Sequence, residues 1–266
     1  MKPQFYSVSQ SLERLVVILL GCLGMPIICG AATFVSFQEN DMRTNSDPYT
    51  VNTSGTLIIN SNGTNSYNMG ATYLRKSVPN TVKDGTQLLI GQNAADTYRS
   101  LFAIDVSYLT NIVGVNTSRV DSAALVLTHN GNGSGGSMDA SVYLTNPFDE
   151  RYATWNNPYR TSLGDLTTNS AGGIIGAELK RVPVTGAITP GSITGIKEIW
   201  GSPSLLWPST YSAPDGLVGA VRTAMASTNK TVYFLLKTIT ESTTLFARFT
   251  DDAGAVLGDT VDMRPE

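Results

Sequence analysis

Apolar and polar residues alternate in short runs along most of the chain, and turn-forming residues separate the runs. Thr33–Gln38 (TFVSFQ) alternates. Gly55–Asn60, Ala71–Lys76 and Thr86–Ile90 are β-branched or apolar stretches bounded by Asn, Gly and Pro. Leu101–Ile104, Ala123–Thr128, Ala140–Thr145, Lys180–Val184, Thr231–Thr238 and Thr244–Phe249 complete the series. A period of two over four to eight residues predicts half-buried strands. The strands at 123–128 and 140–145 flank a polar, Gly-rich segment, 129–136, and are expected to form an antiparallel hairpin with a long tip. Only Asp215–Ser227 places apolar residues (Leu217, Val218, Val221, Met225) at helical intervals, with Asp215 as the expected N-cap. The expected class is all-β, an antiparallel sandwich of jelly-roll type with one short helix.

The N-terminus breaks this pattern. Leu15–Cys29 carries no charge, Lys2 and Arg14 precede it, and Gly30-Ala31-Ala32 follows. A positive start, an apolar centre and a small-residue exit make residues 1–31 a secretory leader. An uncleaved anchor is one alternative, and Leu19-Leu20-Gly21-Cys22 as a lipoprotein box is another. Cys22 and Cys29, the only cysteines, would leave with the leader, so the domain over 33–266 would rely on its core rather than on disulfides. A secreted or cell-surface protein follows.

Composition narrows the function. Charged residues are 15 % of the chain and hydrophobic ones 41 %, which excludes a charge-rich disordered chain. A net charge of −3 advertises no polybasic face for nucleic acid. The lone histidine, His129, is expected in a solvent-exposed loop, and no G-x-S-x-G is present, so serine hydrolysis is disfavoured. Carboxylates alone can run glycoside chemistry. Yet Asp149-Glu150 and Asp251-Asp252 are adjacent pairs that a strand would send to opposite faces, and Glu178, Glu198 and Glu241 are isolated in sequence. No catalytic residue is assigned. Asn52, Asn62, Asn116, Asn132 and Asn229 each begin an N-x-S/T triplet, which matters where the host glycosylates.

At Tyr98–Asp105 (YRSLFAID) the chain resembles the DNRLRE domain family, related to the family 96 carbohydrate-binding modules. The resemblance continues through Val106–Leu109, Arg119–Leu127, the Trp155 stretch Ala153–Pro158, Val232–Leu236, Leu245–Phe249 and Met263–Glu266, with Val35–Glu39 similar to an opening strand. It implies a jelly-roll sandwich in an exported protein, similar to modules that hold polysaccharide, with Trp155 in the core. The family would continue past Arg264-Pro265 into a closing strand, so either the chain is a fragment or a partner or another segment is expected at that edge.

Sugar rings stack on exposed aromatic side chains while polar groups bind the hydroxyls. Trp200, Trp207, Tyr159 and Tyr211 lie in or beside the least regular stretch, 158–214, and are the expected ligand-binding aromatics, with Arg160 and Lys197 as nearby cations for an acidic glycan. Arg99 is expected to pair with a carboxylate or carbonyl instead. Asp41 and Asp47 are the candidate ligands of a structural calcium ion. The sequence thus points to a non-catalytic module that binds or organises polysaccharide, acidic polysaccharide included. The alternatives are a structural or adhesive surface protein that self-associates through an open sheet edge, and a glycoside hydrolase or polysaccharide lyase.

Overall fold

In the computed structural model, the described residues are 35–38, 49–51, 57–60, 69–83, 87–94, 96–110, 120, 122–129, 136–160, 170–185, 197–201, 216–241 and 244–250. All belong to one compact unit, Phe34–Glu266. Three short strands, β1 (Val35–Gln38), β2 (Tyr49–Val51) and β3 (Leu57–Asn60), form a small sheet in which β3 runs parallel to β1 and antiparallel to β2. Then come β4 (Met69–Arg75), β5 (Gln87–Asn93), β6 (Asp96–Asp105), β7 (Ala124–Thr128), β8 (Ser137–Leu144), β9 (Glu178–Thr185) and β10 (Lys197–Gly201). The helix α1 (Gly216–Ala226) precedes β11 (Thr231–Thr238) and β12 (Phe246–Thr250). The described residues are mostly strand, with one short helix, and the larger sheets are antiparallel. The protein is all-β.

The main sheet runs β12-β5-β6-β11-β8-β9, and β4 holds the second edge of β6. Its shape follows from a change of partner along β6. Tyr98 pairs with Gly91 of β5 on one edge and with Arg75 of β4 on the other. From Ser100 onward β11 occupies the edge that β5 has left. At this fork Ser100 Oγ donates to the Leu89 carbonyl (3.0 Å), satisfying an acceptor where the ladder opens. Gly91 takes φ +101°, and a Cβ there would meet the Leu245 carbonyl oxygen at 2.4 Å, so only glycine lets β5 swing over to β12. The sheet therefore curls.

The curl wraps one core. Ala71, Phe102, Phe234, Leu236, Ala140, Val142 and Val184 of the main sheet pack in one cluster with Leu88, Ile90, Ala247 and Phe249 of the diverging β5–β12 wing. Leu125, Leu127 and Trp200 from the separate β7–β10 pair complete it. α1 adds Leu217, Ala220, Ala224 and Met225, as its spacing predicts, and Val221 is partly buried against the same cluster. The helix ends where Ser227 N–H bonds the Ala224 carbonyl, and Lys230 Nζ caps the Met225 carbonyl at 3.0 Å. Asp215, the expected N-cap, lies outside the described residues.

Two expectations need correction. The expected hairpin of β7 and β8 does not exist: β7 pairs with β10, while β8 lies between β11 and β9 in the main sheet. Nearness in sequence suggested the pairing, whereas shared burial of distant strands decided it. The stretch 158–214 is also more regular than expected, since it contains β10 besides the expected strand at 180–184, which is β9. Pro183 within β9 is tolerated because β9 ends the strand order.

Candidate functional site

Strand parity relocates the expected ligand-binding aromatics. In β10, Ile199 faces out (38 % exposed) while Trp200 faces in and is 0 % exposed. The Trp200 indole N–H donates to the Ala140 carbonyl at 3.2 Å, and its ring meets Phe249 edge-on at 6.0 Å. Trp200 thus ties the β7–β10 pair to the main sheet and offers no face to a ligand. Tyr159 is likewise buried. Its hydroxyl lies 2.6 Å from Thr145 Oγ1 and accepts the Ile174 N–H, which pins the 170–177 segment. Arg160 is half-buried. Lys197 opens β10 opposite Thr128. Trp207, Tyr211, Asp41 and Asp47 lie outside the described residues, as do Asp251 and Asp252. Among the described residues no group of three or more His, Cys, Asp or Glu could hold a metal ion, and no helix is long and apolar enough to cross a membrane.

His129 also differs from expectation: it is buried, not solvated. Its Nε2 lies 3.1 Å from Glu198 Oε1, its ring rests 4.7 Å from that of Phe249, and its backbone forms the isolated bridge from the β7–β10 pair to β12. Leu125, Leu127 and His129 share the inward parity of β7, and Glu198 shares that of Trp200. The pair therefore seals one end of the core as a hydrogen-bonded polar couple.

Arg99 behaves as its sequence context predicts. Its guanidinium forks onto Glu241 (2.7 and 2.8 Å), donates to the Gly172 carbonyl (2.6 Å) and lies 5.3 Å over the Trp155 ring. Trp155 is buried, as the resemblance implies. Lys237 stands nearby, bonded to the Thr238 carbonyl and 3.9 Å from Glu241; burial holds its ammonium below the usual lysine range. Glu178 is bound by Arg181 and by the Ser141 hydroxyl, and Asp149 by Arg151. These carboxylates are engaged with cations or hydroxyls.

One constellation has a different composition. Where β5 leaves β6, Tyr73, Tyr98 and Phe246 pack as a chain of rings, with centroids 6.4 and 6.2 Å apart, over Leu89; Tyr73 and Tyr98 are themselves buried, and Phe246 is the partly open ring. Arg75 lies 5.8 Å over the Tyr98 ring, and its side chain is 38 % exposed. Asp96 fixes that guanidinium through Nε at 2.5 Å and also accepts from Ser77 N–H (3.0 Å) and Ser77 Oγ (2.6 Å). Burial works to raise the Asp96 pKa, but the bonds from Ser77 and Arg75 outweigh it and hold the carboxyl below the usual range. Burial raises both phenols.

One polar atom on the ring face is buried without a hydrogen-bond partner: Arg248 Nε, across from Leu89. Such groups are rare and call for an explanation, a bound water or ligand among them. Rings and guanidiniums at one seam belong to the side-chain chemistry of sugar recognition. Sequence reasoning missed this site because its rings come from positions 73, 98 and 246, and only the partner exchange on β6 assembles them.

The chain matches no family model and no curated protein.

Proposed function

We propose that this protein is an exported, non-catalytic β module that binds or organises polysaccharide, and that its residues 33–266 form a two-layer sandwich of jelly-roll type. The observation that carries the reading is the seam of Tyr73, Tyr98 and Phe246, with Arg75 held at its exposed rim and the unpaired Nε of Arg248 on the same face. A sugar ring edge could pack on the partly open Phe246 ring while its hydroxyls bond the Arg75 guanidinium. The engagement of Glu241, Glu178 and Asp149 in ion pairs, and of Glu198 with the inward-facing His129, favours binding over glycoside chemistry. The DNRLRE-like motifs point the same way: the Tyr98–Asp105 motif spans most of β6, and Val232–Leu236 lies in β11.

The test is calorimetry or affinity electrophoresis of the protein against neutral and acidic glycans. Saturable binding of one glycan that Arg75→Ala weakens at least tenfold, without loss of the circular-dichroism spectrum, supports the proposal. Silence across the panel would overturn it. Release of new reducing ends or unsaturated sugars would establish an enzyme instead. The structural or adhesive reading is favoured by Ile199, exposed on the outer face of β10. Concentration-dependent polymers in light scattering would support it.

A further inference from the structure

One motif is not absorbed by the binding seam. Asn229-Lys230-Thr231 is the one N-x-S/T triplet lying among the described residues, and its surroundings are those of an acceptor rather than of a packed amide. It occupies the turn between α1 and β11. Ala226, Ser227, Thr228 and Asn229 are exposed in succession, which leaves room for a bulky substituent. The turn is sharp: Lys230 adopts φ +50°, so the side chains of Asn229 and Thr231 come to one side. The Thr231 hydroxyl donates to the Asn229 carbonyl (3.1 Å) and lies 3.5 Å from Asn229 Oδ1. The amide nitrogen makes one long bond, 3.2 Å, to the hydroxyl of Tyr233, whose ring is partly buried against Phe148. Helix capping and the β11 ladder do not use the Asn229 side chain, whose two hydrogen bonds, to Thr231 and Tyr233, are both long.

We propose that Asn229 is an acceptor for an N-linked oligosaccharide, an inference that rests on the export reading. The donor is a lipid-linked oligosaccharide diphosphate. The bond from the sugar C1 to the phosphate oxygen breaks, a bond from Asn229 Nδ2 to C1 forms, one amide proton leaves, and the lipid diphosphate departs. No electron changes hands. The glycan would stand at the end of β11 that pairs with Asp105, seven residues along β6 from Tyr98. That places it about 23 Å from the binding seam, at roughly 3.3 Å per strand residue. The modified end and the binding end are therefore separate.

The experiment is production of the full chain, leader included, in a secretory host that carries out N-glycosylation, followed by intact-mass and tryptic analysis of the product. The tryptic peptide Thr223–Lys230 contains Asn229 and no other triplet. The proposal expects that peptide to carry a hexosamine-based glycan, removable by peptide N-glycosidase and absent in Asn229→Gln, with glycan-panel binding unchanged in that variant. An exported chain, its leader removed, whose Thr223–Lys230 peptide is wholly unmodified overturns the proposal while leaving the binding function standing. A retained chain with an intact leader and the same bare peptide overturns the proposal and the export reading together.

Discussion

At the residue scale, buried charge is organised around single arginines. Arg99 is the largest case: losing it would strand the Glu241 carboxylate and the Gly172 carbonyl under Trp155. Removing one member of a largely buried, hydrogen-bonded pair costs about 3 kcal/mol. Arg99→Met is expected to lower the urea midpoint accordingly, whereas Arg181→Met, in a pair half open to water, should leave it nearly unchanged. Asp96 makes a pH prediction. Its pKa is lowered on folding, so its contribution is fully present above the ordinary aspartate value and is lost as pH falls through the folded one. Asp96→Asn should therefore flatten the acid limb of the stability profile below about pH 4, read by chemical denaturation at a series of pH values. The partnership of Arg99 was legible in sequence, because a cation inside an apolar strand needs an anion. The burial of Trp200 and His129 was not: their inward parity belongs to β7 and β10, whose pairing joins residues about seventy positions apart.

At the element scale, the segment 170–177 is a strap across the outer face of the main sheet. Gly172 N–H bonds the Trp155 carbonyl, Gly176 N–H bonds the Leu144 carbonyl, and Tyr159 and Thr145 hold Ile174. Gly172 takes φ +79°, and a Cβ there would fall 2.8 Å from Arg99 Nη1 and 2.9 Å from the Trp155 ring. Gly172→Ala should cost at least 1 kcal/mol from backbone conformation alone, by order of magnitude. Hydrogen exchange should show faster exchange over 170–177 with β6 and β11 little changed. Most strands, and α1 to within a residue, were readable from periodicity. The strap was not, because its order comes from contacts with Trp155, Tyr159 and Arg99 rather than from any local pattern.

At the scale of the whole molecule, the partner exchange along β6 makes a curled sheet, a closed interior and an aromatic seam together. Interior and seam respond differently to mutation. Trp200→Ala empties a fully buried site and should cost about 3–5 kcal/mol. Trp200→Phe, which keeps most of the volume, should leave glycan affinity within twofold, because the indole faces the core. Had the 158–214 aromatics formed the ligand platform, both changes would abolish binding. The class of the fold was legible because alternation and turn residues repeat throughout the chain. The place of the candidate site was not, since it is created by three strands that meet only in the folded sheet. The measurement that tests the account most directly is isothermal calorimetry of wild type, Arg75→Ala and Trp200→Phe with the best glycan of the panel. The account predicts tight binding by wild type and Trp200→Phe and at least tenfold weaker binding by Arg75→Ala. Equal affinity of wild type and Arg75→Ala, with binding lost in a folded Trp200→Phe, would contradict it.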